Sequence, residues 1–159
     1  VLARALINEP DLLILDEPTT GLDPQSRHQL WERLEGLRAR GISILLTTHY
    51  MEEAARLCDR LIIVDRGRIL VEGRPRDLIR DHAGKDIIEV GEPGEALRAF
   101  VRDRGLRHDD LGHRIIIYCD ERDRLYREIS EQYCRDGCIL RAATLEDVFL
   151  KLTGRELRE

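Results

Sequence analysis

The sequence predicts an α/β protein in two parts: a partial parallel sheet over residues 1–84, then a small α+β domain of ferredoxin-like order over residues 85–159. Three observations carry this. The runs LLIL (12–15) and ISILLTT (42–48) flank an amphipathic stretch, and a strand–helix–strand unit of that kind has parallel strands and a right-handed crossover. Beyond Gly84-Lys85 the segments alternate in the order β-α-β-β-α-β, with a terminal helix. The composition, 159 residues with 42% apolar and 36% charged side chains, suits a packed core rather than a disordered tail.

The elements follow in order. VLARAL, at the start, has a helical pattern. LLIL reads as a strand buried on both faces, and Pro18 stops it. TTGLD is a loop whose Asp23 suits an N-cap, with Pro24 at the first helical position. Leu30, Leu34 and Leu37 recur at i, i+4 and i+7, giving a helix to about Arg40 that Gly41 closes. After the second strand comes a helix over roughly 50–58, then a β-hairpin over 61–73 turning at Asp65-Arg66-Gly67. A helix starts near Pro75. In the second part the pattern gives strands at 86–90, 106–109, 113–119 and 138–142, and helices at 94–104, 122–136 and 144–153.

Charge and cysteines exclude several classes. Lys and Arg total 26 against 31 Asp and Glu, and neither part is basic, which argues against a broad nucleic-acid footprint. No apolar run approaches the ~18 residues that span a bilayer. Cys58, Cys119, Cys134 and Cys138 form no CxxC pair, and reduced thiols are expected.

The chemistry lies in LLILDEPTTGLDP, residues 12–24. A carboxylate at the end of a buried strand is costly unless it serves a cation or a partner. Asp16 and Glu17, in succession, project to different sides, so one can face a metal while the other faces a water. That is the logic of a Mg-nucleotide site, although a strand ending at a solvated turn gives the same letters. The next strand ends in Thr47-Thr48-His49. Parallel strands share one C-terminal rim, so His49 is expected near Asp16 and Glu17 as a donor to a phosphate.

These residues resemble a family. LLILDEPTTGLDP, followed about 25 residues later by ILLTTH, is similar to the ATP-binding-cassette ATPases: a Walker B strand with its glutamate, the D-loop TGLD and the switch histidine. VLARAL resembles the helix that follows their signature motif, and VDRGRILVEGRPRDL the segment after the histidine in transporter members. The resemblance runs through residues 1 to about 82 and implies a cassette of P-loop NTPase type. It implies ATP and Mg²⁺ as cofactors. Asp16 would contact Mg²⁺ through water, Glu17 would act as general base or polarise the water, and His49 would hydrogen-bond the γ-phosphate. Asp23 would reach across to a second cassette.

No GxxxxGK[ST] occurs in the 159 residues, and the signature motif, the Gln loop and the adenine-stacking aromatic are not found either. The expectation is therefore the C-terminal half of such an ATPase, inactive alone. The tail ATLEDVFLKLTGRELRE (143–159) resembles cassettes serving type-2 exporters of drugs, lipids or lipo-oligosaccharides. The implied partners are a second ATPase subunit, as a homodimer, and a transmembrane permease, with no nucleic acid. The implied place is the cytoplasmic face of the cell membrane, held through the permease. Two other readings stay open: a non-transport ATPase of the same superfamily, and a regulatory or dimerising module over 85–159.

Overall fold

A single helical turn, Leu2–Ala5 (α1), precedes the first strand, Leu12–Asp16 (β1). The computed structural model describes residues 2–119, 122–134 and 137–154. Helix Pro24–Ala39 (α2) crosses over to Ser43–Thr47 (β2), which pairs with β1 in parallel, Leu12 opposite Ser43 through Asp16 opposite Thr47. Helix Met51–Leu57 (α3) follows. Both ends of α2 are set by local chemistry. Asp23 caps the start, and Pro24 needs no hydrogen-bond acceptor there. At the other end Gly41, at φ +92°, allows a Schellman closure: Gly41 N–H donates to the Arg38 carbonyl at 2.9 Å and Ile42 N–H to the Leu37 carbonyl at 3.3 Å.

Leu13, Trp31, Leu34, Leu37 and Leu57 form the core of this part, with Leu15, Ile44 and Leu46 packed against it. The sequence implied a strand buried on both faces; only one is. Leu12, Ile14 and Leu45 point the other way and stay 53%, 68% and 59% exposed. Alternation along paired strands sends every second side chain to the opposite face, and among the described residues nothing covers that face. At the foot of the helices, Trp31 Nε1 donates to Glu53 Oε1 at 2.8 Å, with both residues fully enclosed.

The rest of the chain packs by itself. Leu61–Asp65 (β3) and Arg68–Gly73 (β4) form the hairpin, and Arg66 and Gly67 both take positive φ, as a two-residue type I′ turn requires. Pro75–Leu78 (α4) widens into a π-type turn over Ile79–Ala83. Then come Asp86–Gly91 (β5), Glu95–Asp103 (α5), His108–Asp110 (β6), Arg114–Cys119 (β7), Arg122–Gln132 (α6), Cys138–Ala142 (β8) and Leu145–Thr153 (α7). Their sheet runs β6-β7-β5-β8 with every neighbour antiparallel. Counted within this domain, that is the 2-3-1-4 arrangement of a ferredoxin-like fold. The sequence predicted α6 to residue 136, but the helix ends at Gln132, and Tyr133 and Cys134 leave it; residues 135–136 and the tail beyond 154 lie outside the described residues.

One face of this sheet, Ile88, Val90, Ile115, Ile117 and Cys119, packs with Leu97, Val101 and Ile129 from α5 and α6. The other face meets α7. There Arg141 donates to both Asp147 oxygens at 2.8 Å and to Glu89 at 3.1 Å, while Thr144 and Asp147 form a capping box. Lys151 Nζ reaches the His82 carbonyl at 2.5 Å, tying α7 to the π-type turn. Two compact units are found, Val1–Asp59 and Arg60–Glu159. All four cysteines are free thiols.

Burial alone would raise the Asp147 pKa, but hydrogen bonds from Arg141 and Thr144 outweigh it and hold the carboxyl below its ordinary range. A carboxyl with a lowered folded pKa stabilises the fold above its unfolded value of ~3.9, and that contribution is lost as pH falls through the folded pKa. Protection of the α7 amides from exchange is therefore expected to fall below about pH 4. Arg141→Met, which strands a buried carboxylate, should cost about 3 kcal/mol at neutral pH. Hydrogen exchange over residues 145–153 reads both effects; equal protection in the two proteins would contradict the account.

Candidate functional site

The parallel register delivers the first contact. Because Asp16 lies opposite Thr47, the Thr47 hydroxyl donates to Asp16 Oδ1. One residue on, Glu17 N–H donates to the Thr47 carbonyl at 3.0 Å, extending the ladder by a bond. Glu17 itself has φ +43°, a left-handed conformation that non-glycine residues adopt at a cost and that clusters at functional sites. The Thr20 hydroxyl donates to Glu17 Oε2 at 3.2 Å, and His49 Nδ1 lies 3.2 Å from Glu17 Oε1. The two acids thus face different partners, as the sequence suggested, and His49 stands on the rim beside one of them. Glu17 and His49 side chains keep 48% and 44% of their surface accessible, so a ligand can reach both.

Asp23 is committed to α2. Its carboxylate accepts from the Gln25 and Ser26 N–H groups at 3.0 Å and from the Ser26 hydroxyl at 2.6 Å. The Ser26 hydroxyl is the main reason its pKa is lowered.

Sequence reasoning missed four contributors. Thr47 and Thr20 hold the acids; pairing the two strands residue by residue would have found Thr47, and the three-residue spacing from Glu17 would have found Thr20. Tyr50 stacks on His49 with ring centroids 4.3 Å apart, and the Arg27 guanidinium lies 4.3 Å from the Tyr50 centroid. No spacing rule brings Arg27 to Tyr50, since the contact depends on how α2 meets α3. No cluster of three or more His, Cys, Asp or Glu side chains able to hold a metal occurs among the described residues.

A parallel strand pair with two acids at its C-terminal rim and an imidazole beside one of them is placed where open α/β sheets bind ligands. Comparisons with known proteins narrow this. Residues 95–154 match the model "Nodulation factor export protein NodI, C-terminal domain". Residues 1–54 match an AAA domain model whose description also names the AbiEii toxin of a Type IV TA system. Nod factor export ATP-binding protein I of Cupriavidus pinatubonensis is 51% identical over 160 residues, covering 99% of this chain and 48% of its own length. The proteins of the same name from Mesorhizobium japonicum and Rhizobium johnstonii are 48% and 49% identical, again over 99% of this chain and over 46% and 51% of their own lengths. A solved ATP-binding subunit of an ABC transporter aligns with 47% of this chain at 41% identity, TM-score 0.42. Over 99% of its length the chain is similar to these ATP-binding-cassette transporter proteins, and it corresponds to their C-terminal region. It spans about half the length of the curated relatives it matches.

The Asp23 cap gives a direct test. Asp23→Ala is expected to fray the first turn of α2 and speed amide exchange at Gln25 and Ser26, while Asp23→Asn, which also caps well, should preserve it. Unchanged exchange in the alanine variant would show that the cap does not hold this turn.

Proposed function

We propose that this chain is the C-terminal part of the ATP-hydrolysing subunit of an ABC exporter. The polypeptide that contains it would couple hydrolysis to export of an oligosaccharide-type Nod factor through a transmembrane permease. The observation that carries the reading is the single rim bearing Asp16, Glu17 and His49, with Glu17 held from two sides at 3.2 Å. The tail match over 95–154 favours an exporter over a non-transport ATPase. We further propose that residues 85–159 act as an accessory domain to the cassette, that the subunit works as a homodimer, and that it sits at the cytoplasmic membrane face through the permease. No helix among the described residues is long and apolar enough to cross a membrane.

The donor set suits Mg²⁺ bound with a nucleotide. Mg²⁺ keeps several waters and takes one or two carboxylates plus phosphate oxygens rather than an all-protein cage. Asp16 offers one carboxylate, with a single oxygen engaged by Thr47. When bound, Mg²⁺-ATP supplies the scissile phosphoryl group and neutralises charge on its oxygens. Asp16 would hold the ion through water. Glu17 would orient the attacking water and take its proton, its carboxylate kept in one pose by the Thr20 hydroxyl and the His49 ring. With Nδ1 turned to Glu17, His49 would use Nε2 to reach a γ-phosphate oxygen. Asp23, beyond capping α2, would lie where a second cassette's D-loop partner could meet it.

Glu17→Gln keeps the shape but cannot accept a proton. In the longer polypeptide carrying an upstream phosphate-binding loop, it should lower steady-state hydrolysis roughly 10²–10⁴-fold while sparing nucleotide affinity. His49→Ala should also cut hydrolysis. Rates unchanged in either variant would refute these roles.

A further inference from the structure

His49 sits between the end of β2 and the start of α3, nearly half exposed, and a ring so placed keeps rotational freedom unless something braces it. Glu17 holds one nitrogen. The Tyr50 ring lies against the imidazole, with centroids 4.3 Å apart and planes tilted by 38°. Tyr50 is itself fixed through its backbone: its N–H donates to the Thr48 hydroxyl at 3.0 Å, and its carbonyl accepts from Ala54 N–H at 3.1 Å.

The next link is Arg27. Its backbone N–H donates to the Asp23 carbonyl at 2.9 Å, so it belongs to the capped first turn of α2. Its guanidinium carbon lies 4.3 Å from the Tyr50 centroid, within the reach of a cation–π contact. Arg27 Nε is buried without a hydrogen-bond partner. A buried polar atom left unpaired costs free energy, and the ring face is the attraction set against it. One turn further along α2, the enclosed Trp31–Glu53 bond joins α2 to α3, the helix that Tyr50 precedes. Arg27, Tyr50, His49 and Glu17 therefore form one continuous column from the Asp23-capped helix to the carboxylate.

We infer that Tyr50, braced by Arg27, is a positioning residue for His49, holding the imidazole where it can touch both Glu17 and a phosphate oxygen. The inference rests on the proposed hydrolytic role of Glu17 and His49. It concerns the aromatic ring and not the Tyr50 hydroxyl, so phenylalanine should serve and alanine should not. Arg27 acts through Tyr50, so removing both should cost no more than removing Tyr50 alone.

The test uses the longer polypeptide with its phosphate-binding loop, compared as Y50F, Y50A, R27M and the double variant R27M/Y50A. Misplacing a catalytic group by about 1 Å can cost up to 10²-fold. Y50A is expected to lower kcat roughly ten- to hundredfold, with the KM for ATP within about twofold of the parent. Y50F should stay near the parent, R27M should fall between, and the double variant should match Y50A. In parallel, with no nucleotide present, the His49 Hε1 resonance should shift in Y50A and hold in Y50F, because the ring current goes with the ring. Emission from Trp31, the sole tryptophan, checks that α2 and α3 still pack. If Y50A disturbs that emission, the decision passes to R27M, whose kcat must fall with KM preserved. An unchanged kcat in R27M, a Y50F as poor as Y50A, or an unmoved His49 resonance in Y50A would each overturn the inference. Should Glu17→Gln leave hydrolysis intact, the functional reading fails, and the His49 resonance still decides whether the Tyr50 ring lies against the imidazole.

Discussion

The parallel pairing of Leu12–Asp16 with Ser43–Thr47 is the constraint on which the site depends. A shift by one residue would turn Asp16 away from Thr47 and send Leu13 and Leu15 out of the core. Hydrophobic burial of one face fixes the register, and the register then determines which polar residues meet where the strands end. The chemistry is thus a by-product of where leucines must go. α2 and α3 cover that buried face, and the Trp31–Glu53 bond removes the remaining freedom between them.

Much of this was legible in the letters. The strand run, the Asp23-Pro24 start and the Gly41 stop each act through neighbours in sequence, and each element appeared within a residue or two of its expected bounds. The alternation after Gly84 gave the ferredoxin-like order because split β-α-β units leave few other arrangements. The proximity of His49 to Glu17 followed from the shared rim alone.

What was not legible depends on packing between distant segments. A continuous apolar run such as LLIL carries no sign of which side is covered, and Leu12, Ile14 and Leu45 are bare. Likewise, α7 returns to grip the turn at His82, more than sixty residues back. Nothing in a linear pattern announces that return. The Arg27–Tyr50 contact is of the same kind: each residue alone looks like an ordinary surface side chain.

The left-handed backbone at Glu17 sets stability against chemistry at a single position. A glycine there would relieve the steric cost that a Cβ brings to positive φ, on the order of 1–2 kcal/mol, and would make the strand end more comfortable while erasing the acid. Directed evolution for heat resistance alone would therefore be drawn away from the carboxylate to which we assign the proton transfer. On that proposed role, selection that scores turnover is what keeps a glutamate in a conformation its own side chain disfavours.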